Sequence, residues 1–312
     1  MASQTPTRVA EHPLNVVLRP NSAAAAAYRS AVLAPGFPAD AALDLRYLGG
    51  KTIPRLTFIN VYVGLWDAAE RTQLDRALAG AMADSHLNNV LEQYFAGPIG
   101  STFAGSHVHA AVGPRVYRDT IEGLVAELDQ AGALATLNLP VSVVCLLLPH
   151  GAVLVDGDSS GGGQQVDSLH GLGGYHGSVH VRRGSRRRET VYYAVSVYSE
   201  GSNGIVAFPE PWQNVCATLY HELCEVRTDP DVEDAIRGGA TPAAERLLGW
   251  YSPRGGEIGD IPMAESQGDV ELVMREVPLA DGSGSVPVQL MWSNAVGGPE
   301  GPISRPHPTW PR

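Results

Sequence analysis

The stretch 56-LTFINVYVGLW-66 is apolar at almost every position and rich in β-branched and aromatic residues. That pattern predicts a strand covered on both faces. The run 141-VSVVCLLL-148 repeats it, and 101-STFAGSHVHAAVG-113 predicts a shorter strand between glycine turns. Helical spacing enters at 85-SHLNNVLEQYF-95, where Leu87, Val90, Leu91 and Tyr94 fall on one face. Asp67 with Glu70, and Asp119 with Glu122, have capping-box spacing; they predict helices running to about Ala83 and over 120–131. A Gly/Ser-rich loop follows at 156–168, then a hairpin at 177–200 with a basic tip. A short helix is expected at 241–249, and two strands at 270–279 and 286–294 joined by a Gly/Ser turn. Residues 1–50 show no strong period, and 297–312 are too rich in Pro and Gly for a regular element. The expectation is a single α/β (α+β) domain over 51–296, between an irregular N-terminal segment and a C-terminal tail.

One helix stands apart. Pro211 suits a first helical turn, nothing breaks the pattern before Thr228, and Pro230 ends it. Within it, 219-LYHELCEVRTDPD-231 sets His221 and Glu225 four residues apart, on one face, with Glu222 one step round. This is H-E-x-x-E, the zinc-peptidase signature with its second histidine replaced by glutamate. Imidazole and carboxylate are both ordinary zinc ligands, and a carboxylate beside the metal can take a proton from an attacking water. The other reading of the five residues is a solvated face with an internal ion pair. Leu219, Tyr220, Leu223 and Val226 surround them, however, and buried carboxylates need a partner. Arg227 is the one basic residue on this helix.

A third ligand has four candidates. Asp231 lies ten residues after His221, and Asp229 is closer and could instead hold the His221 ring. Downstream, 249-GWYSPRGGEIGD-260 offers Glu257 and then Asp260 in a glycine-rich turn that can fold back onto the helix. Glu257 is favoured, with Asp260 next.

Composition narrows the reading. A formal charge of −11 over 312 residues disfavours nucleic acid as a partner. The longest apolar run is too short to span a bilayer, so no membrane role is expected. Residues 1–14 lack an apolar core of the signal-peptide kind, which predicts a cytoplasmic address, or a secreted one if a leader has been removed. Cys216 and Cys224, eight residues apart on the motif helix, are too distant to bridge, and Cys145 reads as core.

The strings 220-YHELCEVRTDP-230, 249-GW-250, 257-EIGD-260 and 289-QLMWSN-294, in that order, resemble bacterial zincin-like proteins related to the plant phosphate-induced (Exordium-like) group. The resemblance covers most of 55–296 and is most specific over 220–260. It implies a zincin-like mixed sheet packed on a metal-binding active-site helix, one zinc ion, His221 and Glu225 as its ligands and Glu222 as general base. This chain has 261-IPM-263 where that group usually carries a cysteine soon after E-I-G-D.

Four more residues and one cluster come into question. His176, in 173-GGYHGSV-179, sits where glycines allow close backbone approach, and has a possible substrate-side catalytic role. Tyr251 could donate to an oxyanion, or simply pack with Trp250. His107 and His109 share a strand face, lining a pocket or plain polar surface. The tip 182-RRGSRRR-188 could meet an anionic substrate or be solvated. The function expected is zinc-dependent hydrolysis of an amide or peptide bond, with a peptide or small-molecule substrate. The alternatives are a metal enzyme acting on a small molecule and a non-catalytic binding protein.

Overall fold

A computed structural model describes residues 32–161, 165–183 and 187–300. The expected irregular segment as far as 31, the hairpin tip at 184–186 and the tail beyond 300 lie outside the described residues.

The main elements are β1 (Arg55–Val63), α1 (Ala68–Ala83), β2 (Gly100–His109), α2 (Arg118–Gln130), β3 (Ser142–Leu147), β4 (Gly174–Arg183), β5 (Arg187–Ser196), α3 (Pro211–Thr228), α4 (Val232–Gly238), β6 (Met274–Pro278) and β7 (Ser285–Gln289). The fold is mixed α/β. Its largest sheet has five strands in the order β2-β1-β3-β5-β4. All neighbours run parallel except β4, which lies antiparallel to β5 at the edge.

The apolar runs follow from this layering. Side chains alternate across a strand, so a strand covered on both faces is apolar throughout. Phe58, Tyr62, Val143, Cys145, Leu147 and Tyr192 face α1, α3 and the β6–β7 hairpin. Their alternates Ile59, Val61, Val144, Leu146 and Tyr193 face α2 through Ile121, Leu124 and Val125. The helix α3 has covering on all sides, and every residue from Gln213 to Thr228 is buried. Its bounds are those the two prolines predict.

Other expectations change. The helix expected at 85–95 shrinks to one turn, Asn89–Glu92. Asp84 ends α1, and its carboxylate accepts the N–H groups of His86 and Leu87 at 2.8 and 2.9 Å, which fixes a turn where the pattern suggested a helix start. Asp67 caps α1 as expected. Asp119 caps nothing: α2 starts at Arg118, and the Asp119 carboxylate instead accepts from the Ser159 backbone N–H and hydroxyl, tying down the 156–161 loop. The helix at 241–249 is a single turn, Pro242–Glu245.

The described part of the N-terminal segment packs onto the domain. Leu45 is buried in the core, and its N–H and C=O are both held by the Asn294 side-chain amide. Arg46–Tyr47 pairs with Trp250–Tyr251, steadying the approach to 257-EIGD-260. Cys145, Cys216 and Cys224 are buried and free. No helix among the described residues is long and apolar enough to cross a membrane.

Candidate metal centre

Three segments converge on one buried cluster. The helix α3 brings His221, Glu222 and Glu225, the edge strand β4 brings His176, and the turn before the Asp260–Glu265 helix brings Glu257 and Asp260. Glycines permit the convergence. A Cβ on Gly174 would lie 2.3 Å from the Val195 C=O and 2.9 Å from Thr218 on α3, so β4 reaches the helix only without a side chain there. A Cβ on Gly259 would lie 2.7 Å from the Nδ1 of His221.

The His221 ring is oriented by a residue outside the motif. Gln289, at the end of β7, donates its Nε2–H to the Gly259 C=O at 2.7 Å, which turns its Oε1 to the ring. His221 Nδ1 lies 2.8 Å from that oxygen and so carries the ring's N–H. Nε2 is left facing Glu225 Oε2 at 3.1 Å and Asp260 Oδ1 at 3.6 Å. The other Glu225 oxygen accepts the backbone N–H groups of Gly259 and Asp260, each at 3.1 Å.

His176 has a similar division. Its Nε2 donates to the Asp229 C=O at 3.3 Å, and its Nδ1 faces Glu222 Oε2 at 3.3 Å and Glu225 Oε2 at 3.6 Å. Glu257 Oε1 is 3.6 Å from Nε2, is buried, and has no hydrogen-bond partner. Ligand-type atoms gather in two sets, each mutually within 4.8 Å: His176, Glu225 and Glu257; and His221, Glu225 and Asp260. Zinc bonds of about 2.1 Å in a tetrahedron place ligand atoms about 3.4 Å apart. The histidine–carboxylate separations above bracket that value, and they are also those of direct ion pairs; both sets could hold a metal ion.

The electrostatics are those of a site short of positive charge. Burial opposes a charged ring at His176, but Glu257, then Glu222 and Glu225, outweigh it and hold the imidazole well above its usual range. At His221, burial is likewise outweighed by Glu225 and Glu222. Burial and then the Glu225 charge push Glu257 well up. Asp260 has a side chain 59% exposed and sits at the rim; the Glu225 charge, ahead of burial, raises it to about 7. Glu225 itself is drawn down: burial acts against it, but the two histidines prevail. Among the described residues, the ion-pair partners of these carboxylates are the two histidines and no Lys or Arg. Arg227 is fully buried but turned away, donating to the C=O groups of Pro54 and Gly100 at 3.0 and 3.3 Å and to the Ser101 hydroxyl.

The other candidates are distributed as follows. Asp229 does not hold His221; its carboxylate accepts from the Gly249 N–H at 2.8 Å, and its C=O holds His176. Asp231 accepts from the Tyr192 hydroxyl at 2.9 Å and is a member of neither ligand set. Tyr251 is half-buried, and burial, then Glu257, Asp260 and Asp229, raise its phenol, so the hydroxyl keeps its proton. Tyr251 also lines a cavity of about 490 Å³ walled by Val232, Ala235, Ile236, Ala244 and Leu248. His107 is exposed on the edge strand β2, and His109 is half-buried beside the Ala110 C=O. His180 pairs with Asp234 at 3.0 Å. Sequence reasoning did not find Gln289; the only signal was its place in 289-QLMWSN-294. No protein-family model, curated protein or solved structure matches the chain.

Proposed function

We propose that this protein is a zincin-like metal-dependent hydrolase of amide or peptide bonds, with zinc as the metal. The observation that carries the reading is the His221 ring. Gln289 takes the N–H at Nδ1, so Nε2, beside two carboxylate oxygens, is the ring nitrogen offered to a metal ion that displaces its proton. His221, Glu225 and Asp260 would hold the ion. A mixed sheet beside the motif helix is also the arrangement implied by the resemblance of the chain to zincin-like proteins.

A bound zinc ion supplies Lewis acidity at the substrate carbonyl and acidifies a water beside it. Glu222, buried next to His176, takes the proton of the attacking water and returns it to the leaving nitrogen. Tyr251, its phenol kept protonated by burial and neighbouring carboxylates, donates to the developing oxyanion. The cavity beside Tyr251 is predominantly apolar and of a size to accept a hydrophobic side chain of the substrate.

Glu222→Gln keeps the size and the hydrogen-bonding outline of the side chain but removes the base. Turnover of a cleaved peptide or amide should fall at least ~100-fold with zinc content unchanged. Persistence of turnover in that variant refutes the mechanism.

A further inference from the structure

We infer that the cluster holds two divalent metal ions side by side, bridged by Glu225: one between His221, Glu225 and Asp260, the other between His176, Glu225 and Glu257. The inference builds on the metal reading above and extends it from one ion to two.

Three observations carry it. First, each histidine is oriented separately. Gln289 Oε1 takes the N–H of His221, and the Asp229 C=O takes that of His176. Each ring therefore turns one nitrogen to carboxylate oxygens, His221 Nε2 to Glu225 and Asp260 and His176 Nδ1 to Glu222 and Glu225, and each of these nitrogens can take a metal ion in place of its proton. Second, the two nitrogens approach the same atom. Glu225 Oε2 is 3.1 Å from His221 Nε2 and 3.6 Å from His176 Nδ1, while Oε1 is pinned by two backbone N–H groups. No set of mutually close ligand atoms contains both histidines, so the rings flank this carboxylate rather than share one position. A carboxylate flanked in this way can bridge a metal pair of about 3.5–4 Å spacing.

Third, acidic groups outnumber cationic ones. Glu222, Glu225, Glu257 and Asp260 crowd two histidines, and no Lys or Arg among the described residues is paired with them. Glu222, Glu225 and Glu257 are buried, so each needs a proton, a histidine or a metal ion as its partner. The Glu257 oxygen without a hydrogen-bond partner lies in the His176 half, where the second ion would supply one.

The test uses the full chain, stripped with chelator, reloaded with zinc chloride and desalted. Elemental mass spectrometry should find two zinc ions per chain, and His176→Gln and His221→Gln should each retain one. One ion per chain in the wild type overturns the two-ion inference and leaves the hydrolase reading standing. None overturns both. Two ions in the wild type and still two in both variants would place the second elsewhere and overturn the inference. Should the variants fail to fold, the wild type loaded with manganese chloride decides the matter by electron paramagnetic resonance. A spin-coupled pair is expected; two isolated ions overturn the proposal.

Discussion

At the scale of single residues, the decisive group is Gln289. Its amide is fixed at one end by the Gly259 C=O and presents its oxygen to His221 at the other. Gln289→Leu preserves bulk and removes the acceptor, so the ring loses its preferred tautomer and orientation. Zinc affinity should fall about 10–100-fold, as for the loss of other groups that orient a ligand. Competition with a chromophoric chelator reads this directly; unchanged affinity would mean that Glu225 and Asp260 orient the ring unaided. The sequence displays His221, Glu222 and Glu225 because their spacing is local. It cannot display Gln289, which is 68 positions from His221 and reaches it only through the fold. His176 is an intermediate case. The flanking glycines marked a close approach, but that its partners are Glu222, Glu225 and the Asp229 carbonyl depends on how β4 lies against α3.

At the scale of elements, the helix α3 is legible from end to end because Pro211 and Pro230 bound it, and chemistry at the chain level sets both limits. The stretch 85–95 is not, because the turn there is made by Asp84, outside the apolar pattern that suggested a helix. The turn at 257-EIGD-260 docks on α3 through Gly259, whose position leaves no room for a methyl group against the His221 ring. Gly259→Ala should destabilise the protein by roughly 1–3 kcal/mol and weaken zinc binding together with it. Calorimetry and metal titration on the same sample measure the two; loss of stability with intact zinc affinity would show that the turn, not the ring, yields. The C-terminal end of α3 is anchored by Arg227, a buried cation whose two terminal nitrogens donate to the Pro54 and Gly100 carbonyls and the Ser101 hydroxyl rather than to a carboxylate. Arg227→Ala leaves those acceptors buried without a donor and opens a cavity. We expect a loss on the order of 3 kcal/mol in denaturant unfolding, with metal stoichiometry retained in the folded fraction.

At the scale of the whole molecule, the buried cluster links folding to pH and metal. In the metal-free protein His176 and His221 are held well above the imidazole value, Glu257 well above the carboxylate value, and Asp229 and Asp260 near 7. Every one of these shifts is upward, so between about pH 4 and the folded-state values the folded chain binds more protons than the unfolded chain. The stability they contribute is therefore complete below the unfolded values and is lost as pH rises through the folded ones. Glu225 is shifted the other way, but its contribution changes only below the ordinary carboxylate range, outside the interval from pH 6 to 9. Metal replaces these protons as the balancing charge, and its affinity rises as they leave. Chelator-stripped protein should accordingly lose roughly 3–6 °C in Tm between pH 6 and pH 9, while the stabilisation gained on adding zinc grows over the same interval. Melting curves with and without zinc at three pH values provide the test. If the two sets run parallel, protons and metal do not compete for the same groups, and the carboxylates around His176 and His221 are balanced by something other than a metal ion.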